Sequence, residues 1–233
     1  MGDFSSLDLA AVVTFLVAWI GYSAAVEKRP RSRESLNQIM NRYRHAWTDQ
    51  LAMRENRVVD TTINASLQNG TAFFASTSLI ALGSVLTLTR SADDVLTLFA
   101  TLPFGMQTTR TTWEIKVAGL ALIFVYAFFK FAWAYRLFNY GAILIGAVPP
   151  RGSDPEEIGR AAGRAARMNV VAGGHFNHGQ RAFFFALAYL GWFVSPYVLF
   201  ATTAAVVYVM GRRQFTSDAL RALQDTDEPG PPR

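Results

Sequence analysis

Lys130 is the residue whose setting most asks for a chemical role, because it stands inside an aromatic-rich stretch from Tyr126 to Tyr140. If that stretch crosses a bilayer, a cation there is costly and marks a functional site by default. With Asn139 it can line a site for an anionic solute. The competing use is plainer. Arg136 follows six residues later, about 9 Å along a helix, so Lys130 can bend its stem toward the same headgroups. No carboxylate falls within a span to pair with it, and Glu114 stands at the far end of the same helix. A proton-driven transporter needs a buried acid, which counts against that mechanism.

The three histidines are His45, His175 and His178. His175 and His178 are three apart and share a face if helical. Two imidazoles so placed can begin a zinc site, but further ligands are required. Glu156, Glu157 or Asp49 could add them only if the fold brings them near. Interfacial histidines beside Arg181 are the commoner outcome of this spacing. No histidine lies deep in a span, which argues against haem held between helices. The chain has no cysteine, so thiolate metal sites, disulfides and iron–sulfur clusters are excluded. Phosphate loop, dinucleotide fingerprint, nucleophile elbow and zinc-protease motif are all missing. A non-enzymatic role without a cofactor is therefore expected.

Arginine offers a different chemistry. Arg160, Arg164 and Arg167 fall on one face of a helix, and Arg42 and Arg44 lie in a second basic segment. Such clusters contact anionic lipid headgroups or an acidic partner. The net charge of +5 reads the same way, as basic loops facing lipid and not nucleic acid. Asn64, Gln68 and Asn69, with Asn139, are amides at helix ends that bind headgroups or, more often, hold helices together. Ser76, Ser78, Gly83, Ser84, Ala201 and Ala205 are small enough for helix seams.

The elements that must position these residues are membrane helices. Charged residues make up 17% of the chain, below the usual level of about 25%, and they are segregated from long uncharged stretches. Spans are expected near 7–26, 67–88, 115–136 and 182–210, each long enough for a hydrocarbon core of roughly 30 Å. Leu137 to Val148 continues the third span as helix, at the membrane surface or against other helices. A hairpin within Ala182–Met210 would have arms of about 13 residues, too short to cross, so one tilted helix kinked at Pro196 is expected. Residues 1–224 form a single membrane domain, and 225–233 a disordered tail.

Two cytoplasmic amphipathic helices complete the plan. The first carries Ile39, Met40, Tyr43, Trp47 and Leu51 at helical spacing, with Ser32 as its expected cap. The second opens with Asp154 as N-cap and Pro155 at the first position, and Gly173 and Gly174 mark its expected stop. The loop from 27 to 66 holds eight Lys or Arg, that from 136 to 181 six, and that from 90 to 116 three. The rule that basic loops stay inside puts the N-terminus outside. Four spans then put the C-terminus outside as well, against Arg212 and Arg213. A fifth crossing would remove the conflict.

Several runs carry a resemblance. Phe73-Phe74-Ala75-Ser76-Thr77, Val125 to Phe131, Phe138-Asn139-Tyr140, Ile145-Gly146-Ala147 and Arg212-Arg213-Gln214-Phe215 resemble signatures of the domain of unknown function 599 family. The resemblance implies a small multi-span membrane protein, of a kind found in bacteria and plants, and no activity. It also groups Lys130, Arg136, Asn139 and Tyr140 into one block. The expected fold is all-α: an integral membrane helix bundle of about four transmembrane helices plus two cytoplasmic amphipathic helices. The leading expectation is an accessory or scaffold protein of the bacterial inner membrane, binding anionic lipid headgroups, a membrane-protein partner or a second copy. The alternatives are a small-solute channel or transporter at Lys130, and a lipid-modifying enzyme using His175 and His178 at the inner interface.

Overall fold

The computed structural model describes residues 4–27, 34–90 and 109–224. The expected Ser32 cap and the 225–233 tail lie outside them. Among the described residues there is no strand. The helices are α1 (Ser6–Glu27), α2 (Leu36–Met53), α3 (Val58–Arg90), α4 (Arg110–Gly146), α5 (Pro155–Tyr189), the short α6 (Gly191–Val194), α7 (Pro196–Phe215) and α8 (Asp218–Gln224).

At 1.5 Å per residue, α3, α4 and α5 are about 50, 55 and 52 Å long, well beyond a hydrocarbon core of roughly 30 Å. Each is longer than one crossing requires. The helices α1, α3 and α4 are long and apolar enough to cross a membrane, which makes this a membrane protein.

The spine is α4. On one side α3 runs antiparallel to it: Trp113 Nε1 donates to the Leu88 carbonyl (3.2 Å) near one end, and Asn64 Nδ2 to the Phe138 carbonyl (3.1 Å) toward the other. Gln68 Nε2 reaches Asn139 Oδ1 at 2.6 Å, so these amides do hold helices together. On the other side α5 is antiparallel to α4. A Cβ placed on Gly179 would stand 2.7 Å from the Phe131 ring, and one on Gly141 3.3 Å from the Asn169 amide. Glycine is what permits those approaches. The helices α1 and α2 lie in succession along α5. Asp8 meets Trp192 and Glu27 meets Arg181, while Leu51 packs with Ala161 and Ala165.

Two cores follow. The membrane half is aromatic: Phe15 packs edge-on to Phe185 and Tyr189, Trp19 stacks on Phe185 at 5.4 Å, and Phe74 stacks on Phe131 at 5.3 Å. The projecting half is built from Leu51, Ile145, Val148, Ala161 and Ala165. Asp60 latches it. Fully buried, it accepts from Trp47 Nε1 and Arg54 Nη1, both at 2.7 Å, and Arg57 donates to the carbonyls of Val148 and Pro149.

Four expectations are corrected. Ser35, not Ser32, caps α2, in a reciprocal box with Gln38. Gly173 and Gly174 do not stop α5, because Gly173 provides room for the Arg44 guanidinium and the helix runs on to Tyr189. Residues 182–210 are not one kinked helix. Pro196 opens a new helix, with the Ser195 hydroxyl capping the Val198 amide, and Thr202 Oγ1 donates back to the Ala188 carbonyl at 2.7 Å. The result is a hairpin of α5 and α7. Its first arm is much longer than 13 residues, because α5 begins at Pro155. Finally, Ser76, Gly83, Ser84, Ala201 and Ala205 are exposed and only Ser78 is buried, so the seams belong instead to glycines and alanines of α4 and α5.

Candidate anion-binding cavity

The ends of α1 and α7, the start of α2 and the C-terminal third of α5 meet at one level of the bundle. Each is placed by ordinary local chemistry. The Ser35–Gln38 box fixes where α2 starts and turns its positive end toward the junction. Arg212 and Arg213 occupy the last turn of α7, where the helix dipole favours cations. Arg181 reaches the junction because α5 continues past its glycine pair.

Arg181 is only 5% exposed. Its Nη2 donates to Glu27 Oε1 at 2.5 Å and approaches His178 Nδ1 at 2.9 Å, and His178 Nε2 is 3.1 Å from Glu27 Oε1. Arginine can only donate. His178 therefore accepts at Nδ1, and its Nε2–H donates to Glu27. The Nε of Arg181 is buried without a partner, a costly condition for a guanidinium. Beside it lies a cavity of about 190 Å³, lined also by Tyr22, Leu36, Asn37, Asn177, Gln180, Phe184, Met210, Arg213 and Gln214. The Arg213 guanidinium sits 5.5 Å above the Phe184 ring. Two guanidinium groups and the first residues of an 18-residue helix converge on one space. That is the donor set for a phosphate or carboxylate.

The sequence-predicted residues fall elsewhere or take other roles. Lys130 is half-buried on the outward side of α4, with its ammonium 5.3 Å from the Tyr126 ring centre. It lines an open groove with Trp133, Arg136 and His175, not the bundle interior. Arg136 donates to the Tyr140 hydroxyl at 2.6 Å, while Asn139 holds Gln68. Arg160, Arg164 and Arg167 are exposed on α5 opposite its buried alanines. Arg42 pairs with Glu34. Arg44 bonds Asn41 and is pulled below the usual arginine range by burial. His175 and His178 have ring centres 6.5 Å apart. Among the described residues no group of three metal-ligating side chains converges.

Sequence reasoning missed Arg181 as a site residue because it was counted only as a loop charge. The spacing of His178 and Arg181, three apart on a helix, was its one legible signal. A second polar cluster was also missed, at the opposite end of the bundle. Asp8 (8% exposed) accepts from Trp192 Nε1 at 2.8 Å, and Lys116 (5% exposed) donates to the Trp192 carbonyl at 2.8 Å.

Fold and cavity together define an all-α membrane bundle with a cationic recess where its shorter helices end. The chain belongs to the family described as "Protein of unknown function, DUF599", whose model matches residues 10–219. No curated protein and no solved structure matches it.

Proposed function

We propose that this protein is a non-enzymatic accessory component of the bacterial inner membrane that holds an anionic headgroup at its cytoplasmic face, in the cavity between Arg181 and Arg213. The observation that carries this reading is the buried Arg181, which lines an open space together with Arg213. Two guanidinium groups at one space are complemented by a carboxylate or phosphate.

The antiparallel pairing of α5 with α7 supports a topology of five crossings, by α1, α3, α4, α5 and α7. The N-terminus is then outside, the C-terminus inside, and Arg212 and Arg213 join the other basic segments on the cytoplasmic side. The cavity lies at the inner boundary, where α1 ends at Glu27 and α7 at Phe215. Arg160, Arg164 and Arg167 add an exposed basic surface below it for lipid or an acidic partner. Solute transport through the bundle draws less support, because Phe15, Phe131 and Phe185 fill the interior and Lys130 faces outward.

The test is native mass spectrometry of the protein from mild extraction, titrated with phosphatidylglycerol and phosphatidylcholine. The wild type retains the anionic lipid selectively. Arg213→Gln, at an exposed position, weakens it about tenfold, as expected for losing charge-assisted hydrogen bonds of about 1.5–3 kcal/mol each. Arg181→Gln combined with it abolishes selectivity. Equal retention of both lipids by the wild type, or unchanged retention by the double variant, refutes the proposal.

A further inference from the structure

We infer that the cavity reads hydroxyl groups as well as charge, and that its ligand is a hydroxylated phosphodiester of the phosphoglycerol type. This rests on the anionic-ligand reading above and adds the class of ligand. Four carboxamides, Asn37, Asn177, Gln180 and Gln214, line the same space from three helices. All four are half-buried. None makes a hydrogen bond to another described side chain or backbone group.

A site built for charge alone needs only cations and N–H groups. A carboxamide brings an acceptor and two donors, the complement of a hydroxyl, which itself donates and accepts. Half-buried and unpaired within the protein, those oxygens suit a ligand that donates as well as accepts. The volume fits. A space of about 190 Å³ is smaller than the ~300–1,000 Å³ of pockets for drug-sized ligands. Leu36, Phe184 and Met210 supply an apolar wall, and the cavity sits where α1 and α7 end. That placement suits a lipid headgroup with its chains toward the bilayer. A soluble glycerophosphodiester such as glycerophosphoglycerol presents the same chemistry.

Phosphatidic acid and phosphatidylglycerol separate the two contributions. A phosphomonoester carries about −1.5 to −2 charges at neutral pH and a phosphodiester one. Charge alone therefore ranks phosphatidic acid first, and hydroxyl recognition reverses the order. The full-length protein in mild detergent is titrated with each lipid and scored by native mass spectrometry. The expected result is phosphatidylglycerol bound about tenfold more tightly. Asn177→Leu and Gln180→Leu each weaken it about fivefold, equivalent to about 1 kcal/mol, a larger loss than either causes for phosphatidic acid. Displacement of the lipid by equimolar soluble glycerophosphoglycerol assigns the site to the soluble diester, and its failure to compete assigns it to the lipid. Phosphatidic acid bound as tightly or more tightly by the wild type overturns this inference and leaves the anionic reading standing. Absence of binding to both lipids removes both. The wild-type order needs no variant, so a Leu variant that fails to fold does not obscure the answer.

Discussion

The hairpin of α5 and α7 can be tested with one covalent bond. A Cβ built on Gly191 would lie 2.5 Å from Thr202 Oγ1. Adding the Cβ–Oγ1 bond of about 1.4 Å puts the two Cβ atoms no more than about 3.9 Å apart, within the ~3.5–4.5 Å that disulfides require. In a continuous helix, even one kinked at Pro196, residues 191 and 202 would be separated by about 16 Å. The chain has no cysteine, so Gly191→Cys with Thr202→Cys provides the one thiol pair. Mild oxidation in membranes should close the bridge nearly completely, read as loss of both maleimide-polyethylene-glycol shifts on a denaturing gel. Gly191→Cys with Tyr208→Cys, about 9 Å further along α7, should stay reduced. If the first pair remains fully labelled after oxidation while each single variant is membrane-inserted and reactive, the hairpin is wrong, and with it the fifth crossing.

Two further outcomes follow from the same geometry. Gly174→Ala has nothing within 4 Å of the new Cβ and should stabilise by about 1 kcal/mol through helix propensity. Gly179→Ala meets the Phe131 ring at 2.7 Å, with that ring held between Phe74 and Phe176. It should therefore melt below Gly174→Ala by the equivalent of about 1–3 kcal/mol, and equal thermal midpoints in detergent would contradict the tight α4–α5 contact. Ser217→Cys, just past α7, should resist a membrane-impermeant maleimide in intact spheroplasts and react after lysis. Labelling of intact spheroplasts would place the C-terminus outside.

Much of this protein was legible in its sequence, because the signals concerned are local. Uncharged runs the length of a bilayer announce helices that bury their own backbone groups. Asp154 and Pro155 announced the start of α5 because capping uses only neighbouring atoms. Asn64, Gln68 and Asn139 were recognised as amides that join helices, although their partners were not. The tertiary structure alone decided what depends on apposition. Gly173 and Gly174 look like a helix stop until a guanidinium is packed on Gly173. Pro196 looks like a kink until the Ser195 cap and the Thr202 bond to Ala188 show a second helix turning back. Arg181 and Arg213, thirty-two positions apart in the sequence, become one recess because α7 folds against α5. A cavity belongs to no single segment, and nothing in the spacing of residues along one helix records what the end of another brings to face it.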